Sequence, residues 1–473
     1  MTDEPLSSST PRSWSWVAKA GMIFLTGCVV LCSGITGWYV VSRGKHQARL
    51  NAVLERIRAA GDPLTGDELD AYYVVPADEV DLTAEYVAAV RMFENLKLVG
   101  PAAALPIVGT GGEAPLPDQP WEARAEAEAY LQSVQPQLDA LRMLAMKRGR
   151  VRYPVKLGDG IAALLPDAQR LREAARRLQL EYYARLHRGE RGPALESLAG
   201  LVRLGETLRD EPIMISQLVR IAVFSMATNA ARDFVGAGTP DERELQTLAE
   251  LFADVDFHRS LGRSFRGERS FAYITLNSDL SAGQLASGGS PNGGGISMKR
   301  LSGMRPGDSA QIFEFQTEMV EAAERPLPEA IRALRKVSQD VKASVQEDQR
   351  RLPWDRNYLA ALLLPAVDAY TTAVGRGAAL REATLAMIAI ERYRLKHGRL
   401  PAKLEDVAPD SLPVVPADPF TGGPLLLVVD DEDYTVYSVG ADGIDNGGLI
   451  AAPQGQPPDM GLRVKRGPVK DDP

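Results

Sequence analysis

From Ala20 to Val41 the chain passes through 22 residues without a charged side chain. As an α-helix rising about 1.5 Å per residue, that run spans about 33 Å, the thickness of a bilayer's hydrocarbon core. A soluble helix of this length normally shows a polar face, because only one stripe of it packs against a core. The run therefore reads as a transmembrane helix, with membrane lipid as its partner. Trp14 and Trp16 lie before it and Trp38 and Tyr39 near its end, where amphipathic rings favour the two membrane interfaces.

Secretory and lipoprotein signals combine a positive flank with an apolar stretch in the same way. Leu25-Thr26-Gly27-Cys28 resembles a lipobox, but the apolar run continues 13 residues past Cys28, where a lipobox would close it. A retained anchor is the better fit. Orientation pulls two ways. Arg43, Lys45, Arg49, Arg56 and Arg58 follow the run against Arg12 and Lys19 before it, which by positive-inside counting keeps the bulk in the cytoplasm. Long domains are exported largely regardless of flank charge, so we expect a single-pass protein of the bacterial inner membrane with its bulk in the periplasm. Both cysteines, Cys28 and Cys32, fall inside the run, so no disulfide staples the rest.

Downstream of the anchor, a composition of 45% hydrophobic and 25% charged residues is that of a globular chain. The net charge of -8 and interleaved basic and acidic residues leave no concentrated cationic surface, which argues against a nucleic-acid partner. The spacing predicts a mainly α fold: an N-terminal flank over 1–19, the membrane helix over 20–41, and a helical region over 43–375. That region reads as a bundle or as stacked helical hairpins. Leu164, Ala168, Leu171, Ala175, Leu178 and Tyr182 recur at helical steps, and Pro212 separates two further stripes. Thr239-Pro240-Asp241-Glu242 reads as a helix start with Thr239 as the cap. The glycine- and serine-rich stretch 281–297 reads as a mobile loop, because it offers little apolar area to offset chain entropy. Pro365 and Gly375 to Gly377 are expected to interrupt the helical stretch from Asn357 to Lys396.

Gly398 supplies a C-cap, and two β-rich runs follow, Leu425 to Val429 and Tyr434 to Val439, with Asp430 to Asp433 as the hairpin turn between them. The chain over 377–450 thus forms a small α+β module, with a disordered tail over 451–473. Ala389-Ile390-Glu391-Arg392-Tyr393-Arg394, Gly398-Arg399-Leu400-Pro401, Asp418-Pro419-Phe420 and Tyr437-Ser438-Val439-Gly440-Ala441-Asp442-Gly443 occur in that order. Together they resemble the C-terminal half of the major pseudopilin of type II secretion. The resemblance implies a helix feeding an antiparallel sheet and a calcium-binding acidic loop, with Asp442 at the family's aspartate position and Asp445 and Asn446 as further ligands. Hard oxygen donors on a Gly-rich loop suit calcium, which takes six to eight oxygens. The loop here is shorter than the family's. The family's basic leader, Gly cleavage point and Glu at the fifth mature position are also missing around Lys19 to Ile35, so pilin-like polymerisation is not expected. The whole chain resembles uncharacterised anchored bacterial proteins that carry a stretch like Glu211-Pro212-Ile213 to Gln217-Leu218-Val219-Arg220 and this ending.

Catalytic signatures are scarce. His46, His187, His258 and His397 form no HExxH pair, and there is no GxSxG elbow. Gly109-Thr110-Gly111-Gly112 lacks the Lys-Ser/Thr of a phosphate loop. His187, with Glu181 and Glu190 nearby, is the remaining acid–base candidate. The expectation is a structural or interaction protein, not an enzyme, working with other envelope proteins. One alternative is an auxiliary component of a type II secretion or pilus-like assembly. Another is an envelope hydrolase using dispersed carboxylates, which would require a deep pocket holding two coupled acids.

Overall fold

The computed structural model describes residues 16–94, 96, 98–163, 165–281, 284, 295–349, 367–451 and 458–466. Most of the N-terminal flank, including Arg12 and Trp14, and Pro365 fall outside these residues. Within them the protein is mainly helical, with fourteen α-helices and one three-stranded sheet. Helix α1 runs without a break from Trp16 to Ala59, 44 residues in all. Its first half is long and apolar enough to cross a membrane, and its most apolar stretch is not buried anywhere in the body. Ile23 and Phe24 are each 75% exposed and Trp38 72%. The second half carries several charged residues and packs on the body, where Val53 and Ile57 join the core.

Short helices α2 (Gly66–Tyr72), α3 (Thr83–Arg91), α4 (Arg124–Ser133) and α5 (Gln135–Ala145) lead into the long hairpin of α6 (Pro166–His187) and α7 (Arg191–Glu206). Pro166 opens α6, where a missing amide costs nothing. α8 (Met214–Gly236) follows Pro212 and packs on both α6 and α7. The next helix, α9 (Glu242–Ala253), is capped differently from the expectation. Asp241, not Thr239, is the N-cap: its carboxylate accepts the Glu244 amide at 2.8 Å while Glu244 returns to the Asp241 amide at 3.1 Å. A carboxylate reaches that amide, and favours the positive helix end, better than a hydroxyl two residues earlier.

α10 (His258–Leu276), α11 (Met298–Met304), α12 (Pro306–Ala323) and α13 (Leu327–Gln349) form the layer against which α1 packs, α12 touching α1, α10 and α13. Of the glycine-rich stretch 281–297, residues 282–283 and 285–294 lie outside the described residues. Its ends, Ser281 and Ser297, are joined by an antiparallel bridge. α14 (Val367–His397) runs straight through Gly375 to Gly377, where an interruption was expected. These glycines serve close packing instead, since a Cβ on Gly375 would lie 2.4 Å from Phe420 Cζ. α14 ends at Gly398, whose φ of +69° and amide bond to Arg394 O at 2.8 Å make the C-cap.

The sheet has the order β1-β2-β3, all antiparallel: β1 (Leu426–Asp430), β2 (Asp433–Ser438) and β3 (Met460–Val464). Asp431 and Glu432 make a two-residue turn between the first two strands, Asp431 at φ +54°. The third strand corrects the expectation of a disordered tail over 451–473. Met460, Leu462 and Val464 alternate inward and are buried, so pairing with β2 covers apolar area that a free tail would leave in water. Residues 452–457 and 467–473 lie outside the described residues. The main core cluster extends from Val53 of α1 to Val464 of β3, beside a small second cluster of Ile331, Ala379, Phe420 and Met460. The expected boundary at 375–377 therefore falls inside a helix that packs on α8, α9 and α13 and also on β2 and β3.

Candidate functional site

A cleft of about 350 Å³ opens where the start of α3 and the strand-like link 147–151 meet the C-terminal end of α7. Arg150 joins these segments. Its amide donates to Val80 O and its carbonyl accepts from Leu82, both at 2.8 Å. The guanidinium reaches Glu79 at 3.0 Å and Asp210 at 3.2 Å. Glu206, on the same wall, is taken by Arg220 at 2.9 Å. Three of the cleft's carboxylates thus face guanidinia. Arg148 and Arg203, which also line it, form no ion pair among the described residues. Burial raises the hydroxyl of Tyr86, another lining residue, to about 12 against the opposing field of Arg203. The arrangement suits an anionic group better than a pair of acids sharing a proton.

Behind this wall lies the Glu211-Pro212-Ile213 to Arg220 stretch, which locks the corner between α7 and α8. Glu211, 1% exposed, accepts Ser216 Oγ at 2.6 Å and the Tyr73 hydroxyl at 3.3 Å. Burial pushes its carboxyl up to about 7, outweighing those two bonds. Gln217 donates to Leu208 O and Glu211 O, at 2.6 and 2.8 Å, so it satisfies carbonyls left at the end of the α7 turn. Arg220, also 1% exposed, holds Glu206, caps Asp256 O at 2.9 Å and stacks over Phe257. The residue types fit a rigid corner with every polar group partnered, as buried charge demands.

The acidic loop after β2 is built from its own turns. Asp442 accepts the Ile444 amide at 3.1 Å, and Asp445 accepts the Gly447 amide and the Tyr437 hydroxyl, each at 2.9 Å. Asn446 donates its side-chain amide to Ile444 O at 2.9 Å. Burial, then Asp445, pushes the Tyr437 hydroxyl up. The organising group is Asp459, fully buried, whose carboxylate accepts the Gly448 and Leu449 amides at 2.9 Å. Sequence reading missed it because it lies in the expected tail; an acid directly before an alternating Met460-Gly461-Leu462-Arg463-Val464 run was the available signal. Asp418 plays a matching role, accepting Ser438 Oγ at 2.9 Å and the Val439 amide at 3.1 Å. Among the described residues no group of three or more His, Cys, Asp or Glu side chains converges as a metal cluster, so a cation here would draw on Asp442, Asp445, Asn446 and backbone carbonyls.

The remaining candidates are dispersed. His187 Nε2 meets Pro115 O at 2.8 Å and its ring lies 5.0 Å from that of Trp121. Glu181 is instead held by Arg142, Arg185 and Ser197, and Glu190 by Arg188. Carbonyl oxygens of Ala103 and Ala104 lie 2.3 Å from where Cβ atoms on Gly109 and Gly111 would be, so acceptors, not donors, cover that loop's bare glycines. Asp433 accepts the Arg466 amide at 2.8 Å, so the acidic turn 430–433 belongs to the sheet's own bonding. Glu391 is fully buried and bound by Tyr434 at 2.9 Å, Arg394 at 2.8 Å and Arg466 at 2.6 Å.

No protein-family model, curated protein or solved structure matches the chain.

Proposed function

We propose that the protein is a single-pass, membrane-anchored scaffold of the bacterial envelope, presenting a rigid helical body and a pseudopilin-like ending to other envelope proteins from the periplasmic side of the inner membrane. The observation that supports this most is α1: one uninterrupted helix whose apolar half touches nothing in the body while its charged half joins the core. Lipid is the environment that offsets such exposure. Because the helix does not break between the two halves, the body is held at a set angle to the anchor. Edge strand β1 offers a surface for partners, since Val428 and Val429 are about 40% and 39% exposed and no strand lies on its outer side among the described residues. The pseudopilin-like motifs make a secretion or pilus-like assembly the first place to seek a partner.

The test is extraction of membranes containing the full chain. The protein stays with the membrane through alkaline carbonate and leaves it only in detergent. Recovery in the soluble fraction with its N-terminus intact would refute the reading.

A further inference from the structure

Helices α1 and α12 run parallel. Arg43 Nη2 donates to Gly303 O at 2.9 Å, the His46 ring lies over the bare Cα of Gly307, Arg49 pairs with Glu314, and Arg56 reaches Glu321 at 3.9 Å. The Pro306 end of α12 therefore points the same way along α1 as Arg43 does. α11 is joined to that end and lies level with the first charged turn of α1. Arg43 is two residues past Val41, about 3 Å further along the helix axis. A headgroup layer is about 5–8 Å deep on each side of the hydrocarbon core. If α1 spans the bilayer, α11 lies in that layer or against it.

The side chains of α11 match this position. Its inner face is Met298, fully buried, with Leu301 packed on the core. Its outer face carries Lys299, Arg300 and Met304, with Ile296 just before the helix; Ile296 is 53% and Met304 57% exposed. Neither Lys299 nor Arg300 forms an ion pair among the described residues. The Lys299 amide donates to Ser278 O at 3.0 Å, and the adjoining Asp279 makes no ion pair with either cation among the described residues. Two apolar tips flanking two free cations are what an anionic lipid surface binds: the cations meet phosphate and the apolar groups enter the acyl boundary.

We propose that α11 is a second membrane contact, docking on anionic phospholipid headgroups beside the anchor and so fixing the body against the bilayer. This rests on the anchor reading. The test uses the full chain reconstituted into vesicles of phosphatidylcholine alone or with about one third phosphatidylglycerol, read by amide hydrogen exchange across Met298–Met304. Two surface cations correspond to about a 30-fold change in the docking equilibrium constant, so exchange there slows by up to about that factor in the anionic vesicles. The variant Lys299→Glu/Arg300→Glu, altered only at exposed positions, loses the slowing and still floats with the vesicles. Equal exchange in the two lipids, or slowing that survives in the variant, overturns the contact while leaving the anchor intact. A chain that fails to float at all removes the anchor and this contact with it.

Discussion

Glu211 offers the sharpest handle on how the body is held together. Burial carries its carboxyl from an ordinary 4.5 to about 7, against the opposing bonds from Ser216 and Tyr73. The unfolded chain loses this proton near 4.5 and the folded chain not until about 7, so the contribution to stability is whole below 4.5 and is lost as pH rises through 7. At about 1.4 kcal/mol for each tenfold difference, the ionised group costs about 3 kcal/mol above that window. Glu211→Gln keeps the shape, accepts from Ser216 and donates to Tyr73 without a charge. Allowing about 1 kcal/mol for a weaker neutral hydrogen bond, the variant is more stable than the parent by about 2 kcal/mol at pH 8.5 and no more stable at pH 4. Denaturant unfolding in mild detergent, run as a pH series on both proteins, reads the difference directly. Parallel pH profiles, or a variant weaker throughout, would show that Glu211 is not the buried, desolvated acid described here.

Two further outcomes follow from close contacts and from the acidic loop. Gly267→Ala in α10 would set a Cβ 1.7 Å from Pro212 O, a backbone atom that cannot swing away, so the substitution costs about 3 kcal/mol despite its better helix propensity; a gain in stability would sink this. If the loop after β2 takes calcium, millimolar calcium raises the melting temperature of the full chain and Asp442→Ala removes the rise, whereas an unchanged melting curve refutes the ligand assignment.

Much of the architecture was legible because it rests on local pattern. The uncharged run, the 3.6-residue stripes, the hairpin turn at 430–433 and the Gly398 cap each arise from neighbours in sequence. What escaped depends on distance. Arg269 and Asp62 meet at 2.5 Å across 207 positions, and Arg466 and Glu391 across 75. Arg150 draws Glu79 and Asp210 into the cleft wall in the same way. β3 was lost for a related reason: five residues after a proline-rich stretch carry little signal until β2 is present to pair with them. Gly375 misled because glycine marks both helix ends and tight helix packing, and only the ring of Phe420 decides between them.

The closing strand also sets an order of events during synthesis. Arg466 completes the charge balance around Glu391 and bonds Gly238 O at 3.0 Å beyond the end of α8. Until residues 460–466 have left the ribosome, Glu391 lacks that counter-ion and one backbone edge of β2 is unpaired. Ribosomes deliver about 5–20 residues each second, so α1, emerging first, waits on the order of half a minute for β3, attached to a body whose sheet is still incomplete. A holdase that shields exposed β2 during this interval would act on the nascent chain, not on the finished protein.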